Sequence, residues 1–177
     1  SRIFELDLSQ TPAQVKSDIA IKDSNGRLAA LKDGLPSAKT AEAFDAVDLA
    51  AMINSDDTVN LDSEGIAVAS SGGFWMASEG AGTVGEADRP INSANLIVKV
   101  DEAGVIQEVI QLPDDLNALQ VRFGFEGIAE ADGKLVVAFQ RAWNKEANPR
   151  IGVYDLTTRT WQFLFYPLDS VASPNGG

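Results

Sequence analysis

The sequence Glu-Gly-Ile-Ala occurs twice, at 64–67 and 126–129, and each copy places a carboxylate just before a short strand-like segment. Two further acids lie near the first copy: Asp62 two residues before Glu64, and Glu79 after the next apolar segment. Converging carboxylates can hold a hard cation such as Ca²⁺, or they can shift one another's pKa and form an acid–base pair. These acids are therefore the first candidates for chemistry.

The composition narrows that chemistry further. The 177 residues include neither cysteine nor histidine, which excludes thiol nucleophiles, disulfides, zinc–thiolate sites and the commonest general base. Reactions must use carboxylates, hydroxyls, Lys, Arg, Tyr or a cation on oxygen ligands, for which Ca²⁺ or Mg²⁺ is expected. The formal net charge of −12 argues against a nucleic-acid partner. No apolar run is long enough to cross a bilayer, and no charged-then-apolar leader precedes Ser1.

Four apolar hairpins follow from residue 64 onward, each closed by a turn that contains Gly, Asp or Thr. They pair 66–70 with 74–78, 96–100 with 105–112, 127–131 with 134–139, and 150–156 with 161–168. These strands form two equivalent sets of four. Four antiparallel strands in about 40–50 residues is the size of a β-propeller blade.

The first residues supply a partial third copy, because Arg2-Ile3-Phe4-Glu5-Leu6-Asp7-Leu8 parallels the segment 150–156. This parallel predicts that the chain begins at the third strand of a blade, with the fourth strand within 20–31, where Asn25-Gly26 is a good turn. The Ala-rich segment 37–54 breaks the β pattern and predicts one inserted amphipathic helix, capped by Ser37 and packed through Phe44, Val47, Ala51 and Met52.

The predicted fold is therefore all-β, with about two and a half four-stranded antiparallel blades of a larger propeller and one inserted helix. The chain divides into a partial blade at 1–36, the helical insertion at 37–54, and blades at 60–112 and 122–168. The end, 170–177, is predicted to be an unfinished connection or a frayed end. Because an open stack exposes strand edges, we expect the remaining propeller blades or a second chain to complete the fold.

The first strand of a blade lines the central channel, so Glu64 and Glu126 should lie side by side at one mouth of it. Glu79 and Asp62 are expected to join them as metal ligands, and Gly65 and Gly127 to allow close backbone packing or an unusual φ. The alternative is structural: each glutamate accepts backbone N–H groups and only fastens neighbouring blades.

Three residues outside this group are candidates for substrate binding. Arg122 and Arg141 could neutralise a phosphate or carboxylate at the mouth, although pairing with surface acids is the commoner role of such residues. Trp143 lies in a polar loop and could face a ligand, whereas packing between blades is the commoner role of a tryptophan.

The motifs now in view resemble the phytase-like, "esterase-like activity" family of bacterial β-propeller proteins. The resemblance lies in the segments 62–67, 73–80 and 124–129, with Asp132-Gly133 behind them, and covers residues 60–160 approximately. It implies a propeller of the six- or seven-bladed type, commonly exported to the periplasm or secreted, that acts on phosphate or other esters.

Two functions from different classes follow. In the first, a cation held by Glu64, Glu126 and Glu79 polarises an ester or phosphoester and activates water, so that Glu64 and Glu126 are the catalytic residues. In the second, the chain is a non-catalytic module that binds a ligand or protein, and the acids are structural. A sugar-lactonase-type propeller, which also uses a Glu–metal centre, is a third reading.

Overall fold

The computed structural model describes residues 1–169, so the predicted frayed end at 170–177 lies outside the described residues. About 40% of the chain is strand and 9% is helix. The elements in chain order are β1 (Arg2–Asp7), β2 (Gln14–Ala20), a 3₁₀ helix (Ala29–Gly34), α1 (Ala46–Met52), β3 (Ser63–Val68), β4 (Phe74–Ser78), β5 (Leu96–Val100), β6 (Ile106–Gln111), α2 (Asp114–Asn117), β7 (Phe125–Ala131), β8 (Lys134–Phe139), β9 (Arg150–Asp155) and β10 (Thr160–Phe165). Among the described residues, no helix has both the length and the apolar character needed to cross a membrane.

The strands form two four-stranded antiparallel sheets, in the orders β3-β4-β5-β6 and β7-β8-β9-β10, and one two-stranded sheet of β1 and β2. The predicted all-β fold with four-stranded antiparallel blades is thereby confirmed. We call the two complete sheets the first blade and the second blade. Each blade is a simple meander, in which strands that follow one another in the chain are neighbours in the sheet. Tight turns or longer loops connect them.

The first blade lies between two hydrophobic cores, and strand periodicity divides its side chains between them. Met76 and Val98 pack into a core with the N-terminal region, whereas Trp75 and Ile97 pack against the second blade. Successive side chains of a strand point to opposite faces of the sheet. This explains why β4 and β5 are apolar at nearly every position instead of alternating.

The outer surfaces of the array are only partly covered. On β8, Leu135 and Val137 face the first blade and are fully buried, whereas Val136 is 36% exposed on the opposite face. At the other end, β1 pairs with β2 along one edge only, and Phe4 and Leu6 are half exposed. The equivalent strand β9 is paired on both edges, so β1 has the position of a blade's third strand without its second.

The prediction that the fourth strand of the partial blade lies within 20–31 is wrong. The strand is β2, at Gln14–Ala20, whose mostly polar and exposed residues give a weak hydrophobic pattern. The chain does turn at Asn25-Gly26, where the Gly26 N–H donates to Asp23 O at 2.8 Å, but the turn leads into a 3₁₀ helix and not into a strand. The buried Asp23 carboxylate accepts the N–H groups of Leu28 and Ala29, both at 2.8 Å, and so leads the chain into the 3₁₀ helix.

The inserted helix exists but is shorter than the predicted 37–54, and Ser37 does not cap it. Asp45 does, because its buried carboxylate accepts the N–H groups of Val47 and Asp48 at 2.9 and 3.0 Å. A capping aspartate of this kind fixes the first turn of a helix at its own position. The residues before Asp45 are therefore outside the helix, and Val47 points to solvent with 48% exposure.

A close approach of two backbones joins the blades along their inner strands. A Cβ added at Gly65 on β3 would lie 3.0 Å from Gly127 Cα and 3.0 Å from Ile128 N on β7, so any larger residue would push the two strands apart by a few tenths of an ångström. Gly127 itself has no other atom within 4 Å of an added Cβ, and neither glycine has a positive φ. The predicted need for close packing therefore holds for the first glycine and not for the second.

We expect Gly65→Ala to destabilise the fold by roughly 1–3 kcal/mol, because the two strands must move apart to admit a methyl group. Gly127→Ala is the matched control, since it makes the same chemical change in the second copy of the repeat and meets open space. Urea unfolding of both variants measures the difference. Equal losses of unfolding free energy would contradict the close approach.

A carboxylate cluster at the start of two inner strands

Glu64 and Glu126 occupy equivalent irregularities in the two blades. Between β3 and β4, Ser63 pairs with Ser78 and Gly65 with Ala77, so Glu64 is an extra residue in the ladder. Glu126 is the corresponding extra residue between β7 and β8, where Phe125 pairs with Phe139 and Gly127 with Ala138. A bulge bends its strand and redirects a side chain, and bulges are frequent beside functional sites.

The first-blade acids meet in space as the sequence predicts. Oxygens of Asp62, Glu64 and Glu79 all lie within 4.8 Å of one another. Main-chain contacts hold this arrangement, because the Glu79 N–H donates to Asp62 O at 2.8 Å and the Asp62 N–H donates to Ser78 Oγ at 3.1 Å. The end of β4 thus brings Glu79 back beside the start of β3.

The fourth acid, Glu126, is close enough to act on two of the others. Burial raises the pKa of Glu64, and the negative charges of Glu126 and Asp62 raise it further. The pKa of Glu79 is also raised, first by burial and then by Glu126, Asp62 and Glu64, although a hydrogen bond from Gly124 N–H opposes the change. All four carboxylates therefore form one electrostatic unit, which we call the carboxylate cluster.

The carboxylate cluster has few partners. Among residues 1–169, the carboxylates of Asp62, Glu64 and Glu126 accept no hydrogen bond and form no ion pair; Glu79 accepts only the Gly124 N–H, at 2.8 Å. Oxygen donors that converge without a counter-charge match the ligand preference of Ca²⁺ and Mg²⁺. The residues present therefore fit a hard divalent cation.

Glu130, which lies in β7 with Glu126, has the contacts expected of a structural glutamate. Its carboxylate accepts hydrogen bonds from the Ser70 hydroxyl, from the Ser70 N–H at 3.0 Å and from the Trp75 Nε1–H at 2.8 Å, all in the first blade. These hydrogen bonds lower its pKa, which is the opposite of the change at Glu64. Glu130 fastens the blades, and Glu64 lacks the contacts that would let it do so.

The residue that supports the carboxylate cluster from behind is Asn95, which sequence reasoning missed. Its fully buried side chain accepts the N–H groups of Gly80 and Phe125 through Oδ1 at 3.2 and 3.1 Å, and donates from Nδ2 to Val121 O at 2.5 Å. A Cβ at Gly124 would lie 1.8 Å from Asn95 Oδ1. The one local signal for this role is a polar residue directly before the three apolar residues that open β5.

The two predicted substrate-binding arginines lie against the same aromatic ring. The Cζ atoms of Arg122 and Arg141 lie 3.8 and 3.7 Å from the centre of the Phe123 ring. Neither forms an ion pair within the described part of the chain. Both line a polar cavity of about 210 Å³ that Arg89 and Gln120 also line.

The backbone at Phe123 is in the left-handed region, with φ of 59°, which is unusual for a bulky residue and costs free energy. Trp143 holds it there, because its Nε1–H donates to Phe123 O at 3.0 Å. The Trp143 side chain has no exposed surface and packs against Phe139. The prediction that Trp143 faces a substrate is therefore not supported, because the loop that contains it folds inward.

The comparison with protein families agrees with this arrangement of strands and acids. A model described as "Phytase-like: Esterase-like activity of phytase" matches residues 1–177, which is the whole chain. The chain belongs to the phytase-like family. No curated protein and no solved structure shows a significant match to the chain.

Membership of the phytase-like family covers all the motifs found in the sequence, because the match extends over the whole chain. The resemblance read from 60–160 extends over the partial blade and the helical insertion, since the family model spans both. The phytase-like description is that of an esterase-like hydrolase domain. In the structure, the two copies of Glu-Gly-Ile-Ala are the two bulges that carry Glu64 and Glu126.

Proposed function

We propose that this phytase-like domain hydrolyses phosphate or other esters at the carboxylate cluster, with a divalent cation, Ca²⁺ or Mg²⁺, bound by Asp62, Glu64, Glu79 and Glu126. The observation that carries this proposal is the group of unpartnered carboxylates. Three converge within 4.8 Å, and the charge of the fourth raises the pKa of two of them. Such an arrangement concentrates negative charge in one place, and a bound cation would offset that charge.

Glu64 and Glu126 take the catalytic roles in this proposal. Each projects from a bulge at the start of an inner strand, so neither is held by the sheet or by another side chain. Burial and the charges of Glu126 and Asp62 raise the pKa of the Glu64 carboxyl, which favours a role for it in proton transfer. A bound divalent cation would supply positive charge that polarises the ester oxygen and lowers the pKa of water.

Arg122 and Arg141 take the substrate-binding role. Their guanidinium groups lie on the Phe123 ring and lack carboxylate partners among the described residues, so they are available to an anionic group. Stacking on an aromatic ring limits the freedom of a guanidinium group and leaves its N–H donors free. This favours esters that carry a phosphate or carboxylate group over neutral esters.

The second candidate is a non-catalytic propeller module that binds a ligand or protein. One observation favours it: Glu79 accepts the Gly124 N–H and thus joins the first blade to the segment that precedes β7. That contact is structural. It accounts for one of the four acids, and it leaves Asp62, Glu64 and Glu126 without a structural role.

The family and the strand edges support proposals on the location of the chain and on what completes its fold. Proteins of the phytase-like family are typically extracellular, which supports a periplasmic or secreted bacterial location. The free edge of β1 and the uncovered face of β8 support completion of the propeller by further blades or by a second chain. A strand pair that adds to β1 would restore the order seen around β9.

The test is hydrolysis of p-nitrophenyl phosphate and p-nitrophenyl acetate, each in EDTA, Ca²⁺ and Mg²⁺. We expect cation-dependent activity and a cation-dependent rise in melting temperature. Arg141→Gln should raise KM for the phosphate ester roughly tenfold and leave KM for the acetate ester unchanged, because a charge-assisted contact is lost. Lys32→Gln, an exposed cation distant in sequence, is the control. No hydrolysis in any condition, together with no cation-dependent change in melting temperature, would refute the proposal.

A further inference from the structure

A second cavity, of about 280 Å³, lies away from the carboxylate cluster and shares no residue with it. Leu35, just before the insertion, and Phe44 within it form part of the walls, and the loop after β4 contributes Val84 and Ile91. Val121 closes it from the segment before β7. The cavity is close to the lower limit of size for a small-molecule site and has the apolar lining such sites usually have.

The walls of this cavity are held by hydrogen bonds that do not involve its interior. The Ile91 N–H donates to Ala41 O at 3.3 Å, and Lys39 Nζ donates to Ile91 O at 3.2 Å, so the loop and the insertion are joined on both sides of Ile91. Gly82 has a φ of +102° and packs against Pro90 O, which fixes the base of the loop. A ligand would therefore enter a largely formed site at little cost in ordering.

The charged residues that line the cavity are both acidic. Glu42 and Asp114 line it, both exposed, and neither forms an ion pair among residues 1–169. No Lys or Arg of the described chain lines it. Asn117 adds a buried Oδ1 that accepts no hydrogen bond within the described part of the chain. The site thus combines an apolar interior, a negative rim and an unused acceptor.

We propose that this cavity binds a small organic amine, with an aromatic or branched apolar body inside and its ammonium group between Glu42 and Asp114. Charge complementarity selects this occupant. A neutral apolar molecule would leave the two carboxylates without a counter-charge, and an anion would be repelled by them and by the net charge of −12. The proposal is independent of the ester hydrolysis proposed above.

The test uses three probes of nearly equal size and different charge. Calorimetric titration is expected to show binding of 2-phenylethylamine at neutral pH, weaker binding of 2-phenylethanol and none of 3-phenylpropionate. The variant Glu42→Gln/Asp114→Asn should weaken amine binding about tenfold, because two exposed charge contacts are lost. Asp115→Asn, which removes the neighbouring carboxylate of the same short helix, should have no effect, since Asp115 does not line the cavity.

A cavity-filling variant tests the location. Ala118 lines the cavity from an exposed position, so Ala118→Trp should block amine binding without a large change in melting temperature. Binding of 3-phenylpropionate as tightly as the amine would overturn the proposal. So would amine binding that is unchanged in both Glu42→Gln/Asp114→Asn and Ala118→Trp. Ester hydrolysis by these variants should equal that of the wild type, which separates this site from the carboxylate cluster.

Discussion

Glu64→Gln is expected to lower cation-dependent ester hydrolysis by a factor of about 100 or more, with a parallel loss of Ca²⁺ affinity. The variant keeps the shape of the side chain and removes both its charge and its capacity to transfer a proton, and each of these contributes on the order of 10²-fold or more to catalysis. Glu126→Gln should have a similar effect, because Glu126 has the equivalent position in the second blade. Rates are measured with p-nitrophenyl phosphate at saturating Ca²⁺.

The same variant has an opposite effect on the metal-free protein. Burial and neighbouring charge raise the pKa of Glu64 in the folded state, so its ionised form is destabilising, and folding stability rises as the pH falls through that raised pKa. In EDTA at pH 7, Glu64→Gln should therefore melt about 1–2 °C above the wild type. At a pH below the pKa of a free glutamate, the difference should disappear.

These two readouts together separate the catalytic role from the structural one. If Glu64 only fastened the blades, Gln would reduce stability at pH 7 or leave it unchanged, and a lower melting temperature in EDTA would contradict our assignment. Glu102→Gln, in the exposed turn between β5 and β6, is the control for the loss of one negative charge. Glu130→Gln is the positive control for a structural glutamate and should lower the melting temperature.

Asn95→Ala is expected to cost on the order of 3–5 kcal/mol of unfolding free energy, which is the largest effect we expect on stability. The side chain serves three backbone groups at once, the N–H groups of Gly80 and Phe125 and the carbonyl of Val121, in a fully buried place. Each buried group left without a partner costs about 1–3 kcal/mol. Urea unfolding at pH 7 measures the loss.

The hydrogen bonds of Asn95 also link stability to the carboxylate cluster. Asn95 accepts the N–H of Gly80, the residue after Glu79, and the N–H of Phe125, the residue before Glu126. Asn95→Ala should therefore weaken Ca²⁺ binding even in conditions where the variant is folded. Asn92→Ala, three residues earlier on an exposed position, is the matched control and should change neither quantity. A variant with wild-type stability would show that solvent can replace the hydrogen bonds of Asn95.

Local pattern was sufficient to predict the hairpins. In β4, β5, β7, β8 and β9, apolar periodicity and turn residues act within a few positions of each other, and the structure confirms these strands. The prediction failed where the local signal was weak or ambiguous. The strand β2 is polar, and the prediction placed it at 20–31 instead of Gln14–Ala20. The prediction began the helix at 37, because an Ala-rich composition does not show that Asp45 caps it.

The repeat was the reason that part of the site could be anticipated. Two equal motifs at equivalent places in two blades predict that Glu64 and Glu126 lie at the same end of the array, and the structure places both in equivalent bulges at the start of inner strands. That inference needed no contact to be known, since repetition in sequence becomes symmetry in space.

The sequence by itself indicated the strands of the two complete blades, the chemistry open to a chain without Cys or His, and the four acids that we propose as a site. Only the tertiary structure decided that each inner-strand glutamate sits in a bulge, that Asn95 clamps the cluster, and that Trp143 supports Phe123 from inside. The physical reason is range. Periodicity records which face of its own strand a residue occupies, whereas these roles depend on hydrogen bonds that form only when segments 15 to 45 residues apart pack together.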